Sequence, residues 1–260
     1  MSGAARAARR APAEELREPR PVLPGVGIPL AADLRGHLLR RYQRFFADVE
    51  TGDGAVLTVH CPNPGSMQGC ATPGAAVRCS TSSSPRRRLA HTLEMIRVGR
   101  AWVGLHTARA NALARRALAA GLVRELAGFA ELRPEVRAGA GSRLDFRLAG
   151  GALGRRPAWV EVKSATLAEG SLALFPDSVT ERGRRHLEVL AGLRRRGERA
   201  ALLFVVQRAD CDRVAPADAI DPAYGAALRA AARAGVELYA LGARVTARAI
   251  RIERRLPVLL

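Results

Sequence analysis

The chain has 260 residues, enough for two domains of ordinary size or one large one. Hydrophobic residues make up 48% but aromatics only 4%, so Leu, Val and Ala must fill the cores. A net charge of +18 exceeds what solubility needs and favours a polyanionic partner, nucleic acid before an acidic membrane surface. No apolar run reaches the ~20 residues of a membrane span, and no secretory signal is read at the start. The four cysteines, Cys61, Cys70, Cys79 and Cys211, include no close pair, which argues against a zinc site and for reduced thiols in a cytoplasmic protein, nucleoid association included.

Residues 1–26 carry Ala, Arg, Glu and Pro without apolar period and read as a disordered basic extension. Residues 27–106 show short strands and turns. LRGHLLRRYQRFFADVE reads as one apolar–basic strand, and Gly52-Asp53-Gly54 turns it into AVLTVHC. A turn-rich loop, HCPNPGSMQGC, precedes a strand at Ala75–Ser80. A polar loop then leads to a hairpin, HTLEMIRV with AWVGLHT, around Gly99-Arg100. So many short strands predict a small β-barrel of OB-fold size. Arg41, Arg44, Arg86, Arg87 and Arg88 concentrate here with Tyr42, Phe45 and Phe46, a pattern suited to tracking phosphates and stacking bases. One of the two phenylalanines is expected in the barrel core.

From residue 107 to 260 the pattern changes. ANALARRALAAGLVREL predicts a helix ending near Gly121, followed by strands at Leu132–Arg137, Leu144–Leu148 and Ala158–Lys163. Pro176-Asp177 forms a turn and Thr180 caps a second helix. RAALLFVVQR is a buried strand, and DPAYGAALRAAARAGV a third helix with Asp221 as its cap. Two extended segments, ELYALGARVT and AIRIERRLPVLL, close the chain. The order predicts an α/β (α+β) unit, a mixed sheet flanked by helices.

The chemistry concentrates in SRLDFRLAGGALGRRPAWVEVKS, two short strands joined by a turn rich in Gly, Arg and Pro. Alternation puts Glu161 and Lys163 on one face of a strand. Pairing with the preceding strand brings Asp145 beside them. Two carboxylates and an amine suit a divalent metal that polarises a phosphate. Lys163 is the only lysine among 42 basic residues. A compact ammonium with a movable pKa does there what a guanidinium cannot.

The segments RRYQRFFADVE, HCPNPGSM, SRLDF, WVEVKS, FPDSVTERGRRHL, LLFVVQR and IDPAY, in that order, closely resemble the SfsA family, the sugar fermentation stimulation proteins of bacteria and archaea. The resemblance runs from Leu34 to Leu260. It implies an N-terminal OB-like domain followed by a PD-(D/E)XK nuclease-like domain. It also implies non-specific DNA binding and a regulatory link to sugar (maltose) metabolism. In the nuclease-like pattern Asp145 matches the acidic residue of the second strand, and Glu161 with Lys163 the E-x-K that follows. The alternative to a DNA-binding regulator is therefore a nuclease. There Asp145, Glu161 and the Val162 carbonyl would hold Mg²⁺, and Lys163 would orient water or stabilise the transition state. Arg182 and His186, at i and i+4 of the next helix, would face the same cleft and hold a phosphate. Asp177 either orients Lys163 or caps its own turn.

Three positions depart from the family pattern. Arg116 stands where a glutamate can serve as a further ligand, so it would weaken metal affinity if it pointed into the site. Pro64 stands for threonine and His106 for asparagine. A membrane-surface or purely protein-binding role has only the charge behind it, with no amphipathic basic helix of the needed length. Oligomeric state stays open, a homodimer included.

Overall fold

Alternating apolar residues bend the first part of the chain into a barrel. The computed structural model describes residues 25–138, 142–151 and 156–260; the extension expected over 1–26 lies outside them up to residue 24, as does the middle of the turn before Pro157. Strands β1 (Gly27–Pro29), β2 (Leu34–Tyr42), β3 (Phe46–Thr51), β4 (Val56–His60), β5 (Ala76–Thr81), β6 (His91–Val98) and β7 (Ala101–Gly104) come first. The order β4-β3-β2-β5-β6-β7, with a His60–Thr92 pairing between β4 and β6, closes five strands into an OB-like barrel. Leu38, Val49, Val59, Val77, Leu93 and Ile96 fill it, together with Cys61, Cys70 and Cys79.

Two expectations for this half are corrected. Leu34–Glu50 is two strands, because Gln43 and Arg44 adopt left-handed φ values of 46° and 65° and reverse the chain. Gly27–Pro29, expected to open the barrel domain, pairs instead with the last strand of the chain. Its edge position there suits a proline, which has no amide to donate.

The remainder is α1 (Thr107–Ala119), β8 (Glu131–Arg137), β9 (Arg143–Ala149), β10 (Ala158–Ala165), β11 (Leu167–Glu169), β12 (Leu172–Phe175), α2 (Glu181–Arg195), β13 (Arg199–Val206), β14 (Arg213–Pro216), α3 (Pro222–Arg233), β15 (Glu237–Val245) and β16 (Ala249–Leu256). A seven-stranded mixed sheet runs β1-β16-β15-β13-β10-β9-β8, parallel only across β10–β13 and β13–β15. Strand β13 shows how it is covered. Ala201, Leu203 and Val205 face α1, while Ala200, Leu202, Phe204 and Val206 face α2 and α3. An apolar run on a strand buried on both faces is the physical consequence. The caps are as expected: Thr180 Oγ1 accepts from the Gly183 amide, and Asp221 Oδ1 from the Tyr224 amide. A small sheet, β11-β12-β14, was not anticipated, since its strands are only three or four residues long.

Candidate metal and nucleic-acid cleft

The cleft arises where two paired strands part. The β9–β10 ladder ends at Val160 opposite Phe146, and the next outward amide of β10, Val162 N–H, donates instead to Asp145 Oδ2 at 2.7 Å. The strands splay here, and a cleft of about 470 Å³ opens. The barrel loop Asn63–Gly65, the start of α1, strand β10 and the segment from Phe175 to Arg182 wall it.

Asp145, Glu161 and Lys163 are brought together as the spacing predicts. Lys163 Nζ donates to Glu161 Oε1 at 2.6 Å. His186 Nδ1 bonds the same oxygen and lies 3.2 Å from Lys163 Nζ. Burial raises the Glu161 pKa, but the His186 hydrogen bond and the neighbouring positive charge outweigh it and hold the carboxyl below its usual value. Asp145 moves the other way. Burial, then the charge of Glu161, push it up against the opposing hydrogen bonds from Val162 and Asn111.

The donor set fits a hard divalent cation. Glu161 Oε2 is buried with no partner, and the Glu161 charge helps raise the Asp145 pKa. A cation between the two carboxylates would relieve both. Among the described residues no cluster of three or more His, Cys, Asp or Glu side chains is arranged for a metal, so beyond the two carboxylates further ligands would have to come from backbone or water. That arrangement suits Mg²⁺, which retains waters, better than a structural transition-metal site.

The other expected site residues separate into groups. Arg182 is exposed on the cleft rim. His186 lines the cleft at 7% exposure, with its Nδ1 bonded to Glu161. Arg41 is half-buried beside the cleft. Its guanidinium donates to the carbonyls of Arg44, Asn63, Gly65 and Ser66, bracing the loop that forms the cleft wall. Arg44, Arg86, Arg87 and Arg88 are exposed on the barrel, outside the cleft. Asp177 takes neither of its two expected roles: its Oδ2 accepts from the Met67 amide and its carbonyl from Ser66 Oγ.

Arg116 does not enter the site. Its guanidinium binds the Gly27 carbonyl on β1. The α1 side chain that bonds a cleft carboxylate is Asn111, whose Nδ2 donates to Asp145 Oδ1 at 2.7 Å. The signal was present in the sequence: Asn111 is the single side-chain amide in a helix of Ala, Leu and Arg with one Thr.

Comparison with known proteins agrees with this architecture. Residues 108–249 match the sugar fermentation stimulation protein RE domain, and residues 39–105 the SfsA N-terminal OB domain. A sugar fermentation stimulation protein homolog of Geobacter sulfurreducens is 54% identical over 224 residues, covering 86% of this chain and 95% of that protein. A homolog from Halorhodospira halophila is also 54% identical over 224 residues, covering 85% and 93%. The structure of Pyrococcus furiosus SfsA in complex with Ca²⁺ superposes with a TM-score of 0.79 at 26% identity, over 95% of this chain and 100% of that one. With an OB-like barrel and a helix-flanked mixed sheet meeting at one cleft, this chain belongs to the SfsA (sugar fermentation stimulation protein) family.

Proposed function

We propose that the protein binds DNA non-specifically through its basic surface and hydrolyses phosphodiesters in the cleft with a divalent cation. The observation that carries this reading is the buried, partnerless Glu161 Oε2 beside Asp145 and Lys163. The relative described in complex with Ca²⁺ supports a divalent cation in this family. Arg116, turned away to Gly27, no longer argues against one.

Asp145, Glu161 and the Val162 carbonyl would hold the cation, which supplies Lewis acidity toward the scissile phosphate. Asn111 and the Val162 amide fix the Asp145 carboxylate. His186 pins one Glu161 oxygen and leaves the other for the site. The Lys163 ammonium places donors where water attacks or where charge develops on the phosphate. Arg182 on the rim binds a flanking phosphate. Contacts of this kind recognise backbone and carry little base information.

The test incubates supercoiled DNA with wild type, Lys163→Ala and Glu161→Ala, with and without Mg²⁺ or Mn²⁺, reading band shifts and cleavage on the same samples. Metal-dependent cleavage should fall by about 100-fold or more in both variants. Binding should persist and weaken steeply with salt. Salt-sensitive binding without cleavage in any metal would remove hydrolysis and leave a DNA-binding protein. Cleavage surviving in both variants would move the active site elsewhere.

A further inference from the structure

Aromatic residues are scarce in this chain, 11 in all (two Trp, three Tyr and six Phe). Three stand together outside the barrel core. Phe45 is 45% exposed. Phe46 and Tyr42 are half-buried and belong to no core cluster of the barrel. Their rings stack, with centroids 5.7 Å apart and planes 17° from parallel. The Arg40 guanidinium lies 4.9 Å from the Tyr42 centroid. Asp48 locks the set by accepting from Arg40 Nε at 2.7 Å, Thr58 Oγ1 at 2.8 Å and Tyr42 Oη at 3.2 Å. The result is a ladder of flat groups already fixed in place.

The turn that carries Phe45 is tied to the cleft wall. Cys61 N–H donates to the Phe45 carbonyl, and Arg41 joins the Arg44 carbonyl to those of Asn63 and Gly65, which line the cleft. Cations flank the ladder on both sides. Arg44 is exposed at the same turn. On the other side Phe46 pairs with His60, His60 with Thr92, and Thr92 Oγ1 accepts from Arg87 at 2.7 Å. One exposed ring and two half-buried ones among exposed arginines match a nucleic-acid strand whose bases are unpaired. In a duplex those π-faces are already stacked on one another and are out of reach.

Resting on the nucleic-acid reading above, we propose that the Tyr42–Phe46 ladder and Phe45 stack the unpaired bases of a DNA strand whose backbone continues into the Asp145–Glu161–Lys163 cleft. The substrate class is then single-stranded DNA, or duplex with an unpaired end or flap. Stacking of this kind tolerates any sequence, since every base has a π-face.

The test measures fluorescence anisotropy of the full chain in EDTA, so that nothing is cleaved, with labelled oligo(dT) and a blunt duplex of the same length. Wild type should bind oligo(dT) more tightly. Phe46→Leu and Phe45→Ser should each weaken that binding roughly tenfold. Duplex affinity should change by less than about twofold, and the salt slope should hold because no charge is altered. Phe45→Ser removes an exposed ring, so its fold survives even if Phe46→Leu disturbs the hairpin. Tighter duplex binding by wild type, or equal losses on both DNAs, would overturn the ladder's role while sparing the broader reading. No salt-sensitive binding to either DNA would overturn both.

Discussion

Met67 and Asp177, 110 positions apart in sequence, share a hydrogen bond of 2.9 Å from the Met67 amide to Asp177 Oδ2. Ser66 Oγ donates to the Asp177 carbonyl beside it. These bonds hold a loop of the barrel against the sheet domain and complete one wall of the cleft. The packing is close: a Cβ on Gly65 would lie 2.6 Å from Asp177 Oδ2.

Asp177→Ala strands the amide of Met67, a residue only 1% exposed, and should cost about 1–3 kcal/mol in urea unfolding. Gly65→Ala should also destabilise, by pushing the same carboxylate. Asp177→Ala removes the three atoms nearest to that Cβ, so the double mutant should be less damaged than the sum. Strict additivity would show that the two residues do not act through one contact.

Asn111 and Arg116 lie on the same helix but should behave differently. Asn111→Ala removes the donor to Asp145 Oδ1 and should weaken Mn²⁺ binding by about tenfold in calorimetry. Arg116→Ala frees only the Gly27 carbonyl and should leave Mn²⁺ affinity unchanged. The reverse ranking would place Arg116 in the site after all.

Asp221 ties two helices together, capping α3 through the Tyr224 amide and accepting from the amide of Thr180, the cap of α2. Burial raises its pKa, but those two amides and Arg184 outweigh it and hold the carboxyl below its ordinary 3.8. Its stabilisation is therefore complete above 3.8 and is lost as pH falls through the lower, folded value. Asp221→Ala should cost about 2 kcal/mol at neutral pH. The gap from wild type should close in acid, as followed by urea midpoints across pH. A constant gap would assign the loss to packing rather than charge.

Burial raises the thiol pKa of Cys70 to about 11, and those of Cys79 and Cys211 to about 12. Cys61 is fully buried as well. The native protein should resist a chromogenic disulfide reagent at neutral pH and release four thiols once unfolded in urea. Rapid labelling of the folded chain would mean that a thiol is reachable from solvent.

The sequence by itself determined what depends on local pattern. The β13 run of apolar residues, the Thr180 and Asp221 caps, and the alternation placing Glu161 and Lys163 on one face were all legible, because side-chain period and cap chemistry act over a few residues. The Gln43–Arg44 reversal was hidden, since neither residue type announces a left-handed turn. Only tertiary structure decided which polar groups meet. Arg41 turned inward to four carbonyls, Asp177 crossed to the barrel, His186 joined Glu161, and Asn111 rather than Arg116 reached Asp145. Apart from the Arg41–Arg44 bond, each contact joins residues far apart in the chain, and a buried polar group takes whichever partner the packed fold brings within reach.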